Sequence, residues 1–206
     1  MINATNLRAA FRAIAATMAD KREYLIELDQ RNGDGDLGIS MSDGYAAASK
    51  AMDASPETDL GKMLIAGYKA FNEAAPSSLG TITSLCLMGM AKTLKGHVEA
   101  DMALLGDALH AGLQNVMTKA GSKPGEKTIL DAVVPAADAI SAHAAEGDKA
   151  ALAAAAKAAA DGSDATANMV AVHGRAAYYG DKSIGLVDGG SVVGRLIFET
   201  LAVLPE

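Results

Sequence analysis

The segment with the densest chemistry is Asp29-Gln-Arg-Asn-Gly-Asp-Gly-Asp-Leu-Gly38. It gathers Asp29, Asp34 and Asp36 on a backbone that Gly33, Gly35 and Gly38 allow to fold back on itself. Carboxylates this close repel one another when ionised, and a hard divalent cation such as magnesium or calcium is the natural compensation. A continuous helix would separate Asp29 from Asp34, whereas a glycine turn brings both to one ion. Asn32, Asp34 and Asp36 also fit the first three alternating ligand positions of a calcium-binding EF-hand loop. That pattern then fails, because Leu37 stands where glycine is needed and Asp43 where a bidentate glutamate is needed. The competing readings are a solvated acidic turn, or a calcium-binding or purely structural helical module.

Two further polar, glycine-rich segments precede helical patterns: Pro76-Ser-Ser-Leu-Gly-Thr81, and the stretch from His173-Gly-Arg175 to Asp188-Gly-Gly190. Helix N-termini and small hydroxyls donate to phosphate oxygens, and Arg175 can offset charge that develops in phosphoryl transfer. A fourth segment, Gly121-Ser-Lys-Pro-Gly-Glu-Lys-Thr128, falls one residue short of a P-loop. Glu126 occupies its second glycine position and the residues before it read as helix, so a Walker fold is rejected and Lys123-Pro124-Gly125 reads as a turn. His97, His110, His143 and His173 show no metal-ligand spacing; the first three read as surface residues, and His173 stands beside the Gly-Arg segment. Cys86, in Leu85-Cys-Leu-Met, reads as a small buried hydrophobe.

Helices must position these loops. Leu7, Phe11, Ile14, Met18, Leu25 and Leu28 recur at helical spacing and predict a first helix ending near Leu28. Further patterns cover about 41–52, 58–73, 79–96, 101–120, 126–144, 148–172 and 191–204, giving eight helices, with Pro135 read as a kink within the sixth. The alanine block 150–160 reads as a closely packed helix, since alanine is the best helix former and its side chain permits close approach. Short connections place successive helices side by side, which predicts one antiparallel all-α domain over residues 1–206.

Of the 206 residues, 50% are hydrophobic, 21% charged and only 4% aromatic, which suits a helical globule and disfavours a β-rich one. A formal net charge of −7 leaves no general basic surface for a nucleic-acid backbone. No apolar run approaches the ~18 residues of a membrane span, and the start lacks the head and centre of a signal peptide. A single cysteine excludes an internal disulfide. A cytoplasmic protein with neither nucleic-acid nor membrane partner is expected.

Asp29 with Gly33-Asp-Gly-Asp-Leu-Gly38, Pro124-Gly-Glu-Lys-Thr-Ile-Leu-Asp131, Gly174-Arg-Ala-Ala-Tyr-Tyr-Gly-Asp-Lys-Ser-Ile-Gly185 and Asp188-Gly-Gly190 together resemble the L subunit, or nucleotide-binding domain, of dihydroxyacetone kinases. Their order and spacing match along nearly the whole chain. The resemblance implies an eight-helix barrel whose open end holds ADP or ATP through two magnesium ions, clasped by Asp29, Asp34 and Asp36. It implies nucleotide contacts at Leu37, Gly38, Ile39 and Ser40, at Ser77 and Ser78, near Ile129, at Arg175, and at Asp188, Gly189 and Gly190, with Arg175 in the catalytic role. It further implies that a K-type subunit holds the ketose covalently on a histidine. Phosphate then comes either from exchanging ATP or from retained ADP that a phosphotransferase-system protein rephosphorylates. Two departures stand out: Leu37 replaces the family's usual histidine, and Pro76-Ser-Ser-Leu-Gly80 replaces a Gly-Gly-x-Ser-Gly segment. They favour looser nucleotide binding, hence ATP as direct donor, and leave erythrulose beside dihydroxyacetone as the ketose.

Overall fold

A computed structural model describes residues 1–204, and the architecture is all-α. The helices are α1 (Ala4–Asp20), α2 (Arg22–Asp29), α3 (Leu37–Ala54), α4 (Leu60–Ala74), α5 (Ser78–Leu94), α6 (Met102–Ala120), α7 (Leu130–His143), α8 (Asp148–Ala165) and α9 (Gly189–Ala202). Two-residue strands β1 (Ile2–Asn3) and β2 (Glu99–Ala100) pair antiparallel. The expected first helix is broken at Lys21 (φ −91°, ψ 5°) into α1 and α2, which leaves eight staves with one bent.

Local chemistry starts most of these helices where polar residues can cap them. Asn3 accepts from the Thr5 and Asn6 amides while Asn6 accepts from the Asn3 amide. Asp59, Ser77, Asp101 and Asp188 each accept from an amide in the first turn of α4, α5, α6 and α9. Gly121, with φ 68°, ends α6 in a left-handed cap. Helical periodicity overran the real ends in places: α8 stops at Ala165, and residues 166–188 form irregular and 3₁₀ structure instead. Conversely, α3 begins at Leu37, earlier than its apolar pattern suggests, because Gly38 is drawn tightly against α2. A Cβ on Gly38 would lie 2.1 Å from Arg22 O. Pro135 stays inside α7.

Each stave packs on its chain neighbours, and α9 returns to α1, closing a ring. Ala151, Ala155, Ala159 and Ser163 form the fully buried stripe of α8, the close packing expected of the alanine block. At its end a Cβ on Gly162 would lie 2.1 Å from Asp131 O, so α8 rides directly on the first turn of α7. Phe71, Met18, Leu25, Met41 and Met63 are fully buried, each contributing roughly 1.5–3 kcal/mol by leaving water. Tyr45 sits between Phe11 and Phe71, its ring edge-on to Phe71 at 5.0 Å. The ring is hollow: a cavity of about 840 Å³ is lined by Ile14, Leu87, Leu109, Leu113, Val133 and Phe198 among others. Cys86 also faces it, half-buried on the cavity wall rather than enclosed as expected, and its apolar surroundings push its thiol up to about 12, which leaves it inert. No described helix is long and apolar enough to cross a membrane.

In an up-and-down ring, alternate connections fall at the same end. The α3–α4 and α5–α6 connections meet at one end, where Leu60 N donates to His97 O and Gly96 N to Asp59. Segments 30–36, 75–77, 121–129 and 166–188 therefore share the opposite mouth, and these are the four segments in which sequence chemistry concentrates.

Candidate functional site

The acidic loop is built around Asp29, the last residue of α2. Its carbonyl accepts the Asn32 and Gly33 amides, and its carboxylate accepts the Gly35 amide at 2.7 Å. Gly33 is required by close approach, since a Cβ there would lie 2.2 Å from Asp29 Oδ1; Gly35 is required by its φ of 78°. The outcome is that Asp29, Asp34 and Asp36 present carboxylate oxygens all within 4.8 Å of one another. Partial burial, then the neighbouring Asp34 and Asp29, raise the Asp36 carboxyl above its usual range, with Arg175 opposing. Arg175 reaches this cluster from the distant 166–188 segment, its Nε 2.7 Å from Asp34 Oδ2.

Four helix N-termini, those of α3, α5, α7 and α9, open on the same mouth. At α3, the Ser40 amide already donates to Asp36 O and the Ser40 side chain is buried, so the free first-turn amides are those of Leu37, Gly38 and Ile39. Leu37 turns its side chain inward: a Cβ on Gly189 would lie 2.7 Å from Leu37 Cδ2, which places the start of α9 against the start of α3. Gly190 in turn lies against Ile129, 3.4 Å from its backbone nitrogen by the same measure. At α5, Ser77 Oγ accepts from Gly80 N, leaving its hydroxyl proton free to donate. Ser78 faces Ser122, Thr128 and His173 across a cavity of about 340 Å³.

Asp188 caps α9 through Ser191 N at 2.6 Å. It is half-buried, and its loss of hydration pushes its carboxyl up to about 7 against the opposing effects of the Ser191 amide and Lys127. Every residue expected to hold metal or nucleotide thus lies at this mouth, although Ser40 has no free amide.

Two residues of the motif Pro124–Asp131 take roles that the sequence did not disclose. Asp131, buried in the first turn of α7, accepts the Gly125 amide at 2.5 Å and the Thr128 amide at 2.7 Å, and so shapes the turn before Ile129. Its place at the end of that motif, three residues after Thr128, is the local signal. Glu126, considered above only as an obstacle to phosphate, accepts from Lys123 N and pairs with His173 Nε2 at 2.6 Å. The His173 hydrogen bond, followed by the Lys123 amide, holds the Glu126 carboxyl below its usual range. His173 is therefore a link between two loops of the mouth. His97 is exposed, and His110 and His143 are half-exposed, each of the latter beside an acidic neighbour.

Such a ring of antiparallel helices, with its capped N-termini and polar loops gathered at one mouth, defines an all-α barrel of a recognisable kind. Residues 31–203 match the DAK2 domain, and the chain belongs to that family. It is 30% identical over 201 residues to L-erythrulose 1-kinase of Mycolicibacterium smegmatis, covering 96% of this chain and 35% of that protein. It is 29% identical to the ADP-binding subunit DhaL of PEP-dependent dihydroxyacetone kinase 1 of Listeria innocua, covering 88% of this chain and 87% of that one. The chain thus spans about a third of the erythrulose kinase and most of the DhaL subunit. Its fold matches the dihydroxyacetone kinase of C. freundii crystallised with AMP-PNP and Mg2+, at a TM-score of 0.78 and 22% identity, over 98% of this chain and 34% of that one.

Proposed function

We propose that residues 1–206 act as one nucleotide-binding unit of a short-chain ketose kinase, supplying the phosphoryl-donor half of a site completed by a K-type, ketose-binding subunit. The observation that carries this reading is the convergence of Asp29, Asp34 and Asp36 with Arg175 at a mouth ringed by helix N-termini. The names of the relatives, an erythrulose kinase and an ADP-binding subunit of a dihydroxyacetone kinase, support it.

The residues fit magnesium and nucleotide. An all-oxygen donor set of three carboxylates suits a hard cation; partial burial raises the Asp36 carboxyl first, and the repulsion from Asp34 and Asp29 that adds to it is what a cation would relieve. Asp29, Asp34 and Asp36 would hold the metal, as two ions by the family resemblance, whose chemistry is to neutralise and orient phosphate. The free amides of Leu37, Gly38 and Ile39, with Ser77, Ser78, Gly189 and Gly190, provide donors for phosphate oxygens. Ile129 supplies an apolar wall, and Asp188 holds the start of α9 in place through its cap. Arg175 offsets charge that develops on the transferred group. No residue of this chain need form a covalent bond to substrate.

Leu37, buried against Gly189, supplies no polar group near the phosphates. Loss of one charged hydrogen bond costs about 1.5–3 kcal/mol, roughly ten- to a hundredfold in affinity, which favours exchange of free ATP over retention of ADP for a phosphotransferase-system donor. The test is turnover by the purified chain with its K-type subunit, offering ATP with dihydroxyacetone, then with each erythrulose enantiomer. ATP-driven phosphorylation of a short ketose is expected. Tightly retained ADP without ATP-driven turnover would overturn the choice of donor, and absence of any ketose phosphorylation would overturn the reading.

A further inference from the structure

Lys127 belongs to none of the functions assigned so far, yet its buried ammonium is surrounded by main-chain carbonyls. The residue is almost wholly buried, and its backbone adopts φ 61°, the only positive φ at a non-glycine among the described residues. That left-handed conformation turns its side chain inward. Its ammonium then lies within hydrogen-bond distance of four main-chain carbonyls: Thr166 O at 2.7 Å, Met169 O at 3.2 Å, Ser183 O at 2.9 Å and Leu186 O at 2.5 Å. An ammonium has three donors, so the four acceptors share them and the group is saturated.

The arrangement of those acceptors matters more than their number. Thr166 and Met169 lie at the start of the segment that leaves α8, while Ser183 and Leu186 lie at its end, just before Asp188 and α9. Between these two feet runs the 3₁₀ stretch Arg175–Ser183, kinked at Gly180. Lys127 itself stands two residues before Ile129. A single side chain thus ties the 121–129 loop to both feet of the 166–188 segment and closes the base of the arch that presents Arg175 to Asp34. Other bonds across the base run between the same feet, Gly185 N to Ala167 O and Ala171 N to Ser183 Oγ.

We propose that Lys127 is a positioning residue, clasping both feet of the 166–188 arch so that Arg175 is held over the acidic cluster; this rests on the reading of Arg175 as the cation that faces phosphate. Burial lowers the affinity of the Lys127 ammonium for its proton and Asp188 opposes that effect, consistent with a charge kept by carbonyl dipoles.

The experiment compares the full wild-type chain with K127M, K127R, R175A and the K127M/R175A double variant, by amide hydrogen exchange without ligand and by calorimetry with ADP and Mg2+. In K127M the amides of residues 170–186 should exchange at least about tenfold faster, the expected scale for losing hydrogen bonds to a charged group, while the barrel helices keep their protection. K127R, which retains charge and donors, should fall between wild type and K127M. K127M and R175A should each weaken Mg·ADP binding, and the double variant should be little weaker than the worse single one, because Lys127 acts through Arg175. Unchanged exchange in the arch, additive losses in the double variant, or loss of the helical spectrum in K127M would each overturn the proposal. A wild-type chain that binds no Mg·ADP would instead defeat the functional reading, and the exchange data would still decide whether Lys127 holds the arch.

Discussion

Arg175 Nε lies 2.7 Å from Asp34 Oδ2, joining the loop after α2 to the arch before α9. Both side chains are substantially exposed, 65% and 44%, so in water the pair contributes only about 0–1 kcal/mol. A contact this weak is readily exchanged. Were a divalent cation to take Asp34, the guanidinium would be released at little cost, already beside the place where phosphate charge would gather.

Replacing Asp34 by Asn removes one anionic ligand and the partner of Arg175. Mg·ADP affinity should fall at least about tenfold, while the far-UV circular dichroism and melting temperature stay near those of the parent, because Asp34 is an exposed loop residue outside the apolar core. Binding equal to the parent in calorimetry would remove Asp34 from the metal site.

Gly33→Ala tests the loop without touching a ligand. The added Cβ would meet the Asp29 carboxylate at 2.2 Å and the Asp29 carbonyl at 2.8 Å, so the carboxylate must leave its bond to Gly35 N. The strain should cost about 1–3 kcal/mol of stability and a disproportionate loss of Mg2+-dependent ADP binding. Full metal-dependent affinity in G33A would show that Asp29 is not held where the ion binds.

Asp188 gives the chain a pH signature. Its folded value of about 7 stands above the ordinary 3.8, so the folded state retains a proton that the unfolded state releases. The stability this provides is fully present below about 4 and is lost as pH rises through about 7. Asn caps a helix as well as Asp, so D188N should keep the α9 cap and lack this loss. Chemical denaturation from pH 4 to 8 should show D188N gaining on wild type as pH rises, by on the order of a few kcal/mol; a constant difference would contradict the assignment.

A chain carrying only the donor half should not phosphorylate a ketose unaided. With ATP and Mg2+ but no K-type subunit, dihydroxyacetone should be turned over no faster than in buffer. Sustained turnover by the purified chain would mean that the ketose site lies within it.

Helical periodicity made the staves legible, because the stripe from Leu7 to Leu28 and the alanines of α8 must each bury one face. Periodicity could not reveal the break at Lys21, which interrupts a helix without altering its apolar stripe. Asp29, Asp34 and Asp36 could be read directly, since their glycine spacing is local. Arg175 was legible as a residue, but its pairing with Asp34 depends on ring closure, which no local pattern encodes. Lys127 was invisible for a stronger reason: its partners are main-chain carbonyls, identical in every residue type, and it reaches them only through a backbone conformation unusual for lysine.

The central claim is that this mouth binds nucleotide through a metal held by Asp29, Asp34 and Asp36. Isothermal titration of the purified, nucleotide-stripped chain with ADP, first in chelator and then in excess Mg2+, tests it most directly. Saturable, one-to-one ADP binding should appear only with Mg2+ and be abolished by combined substitution of the three aspartates with Asn. Calcium binding with no affinity for ADP under either condition, or ADP binding indifferent to Mg2+ and to the three substitutions, would contradict it.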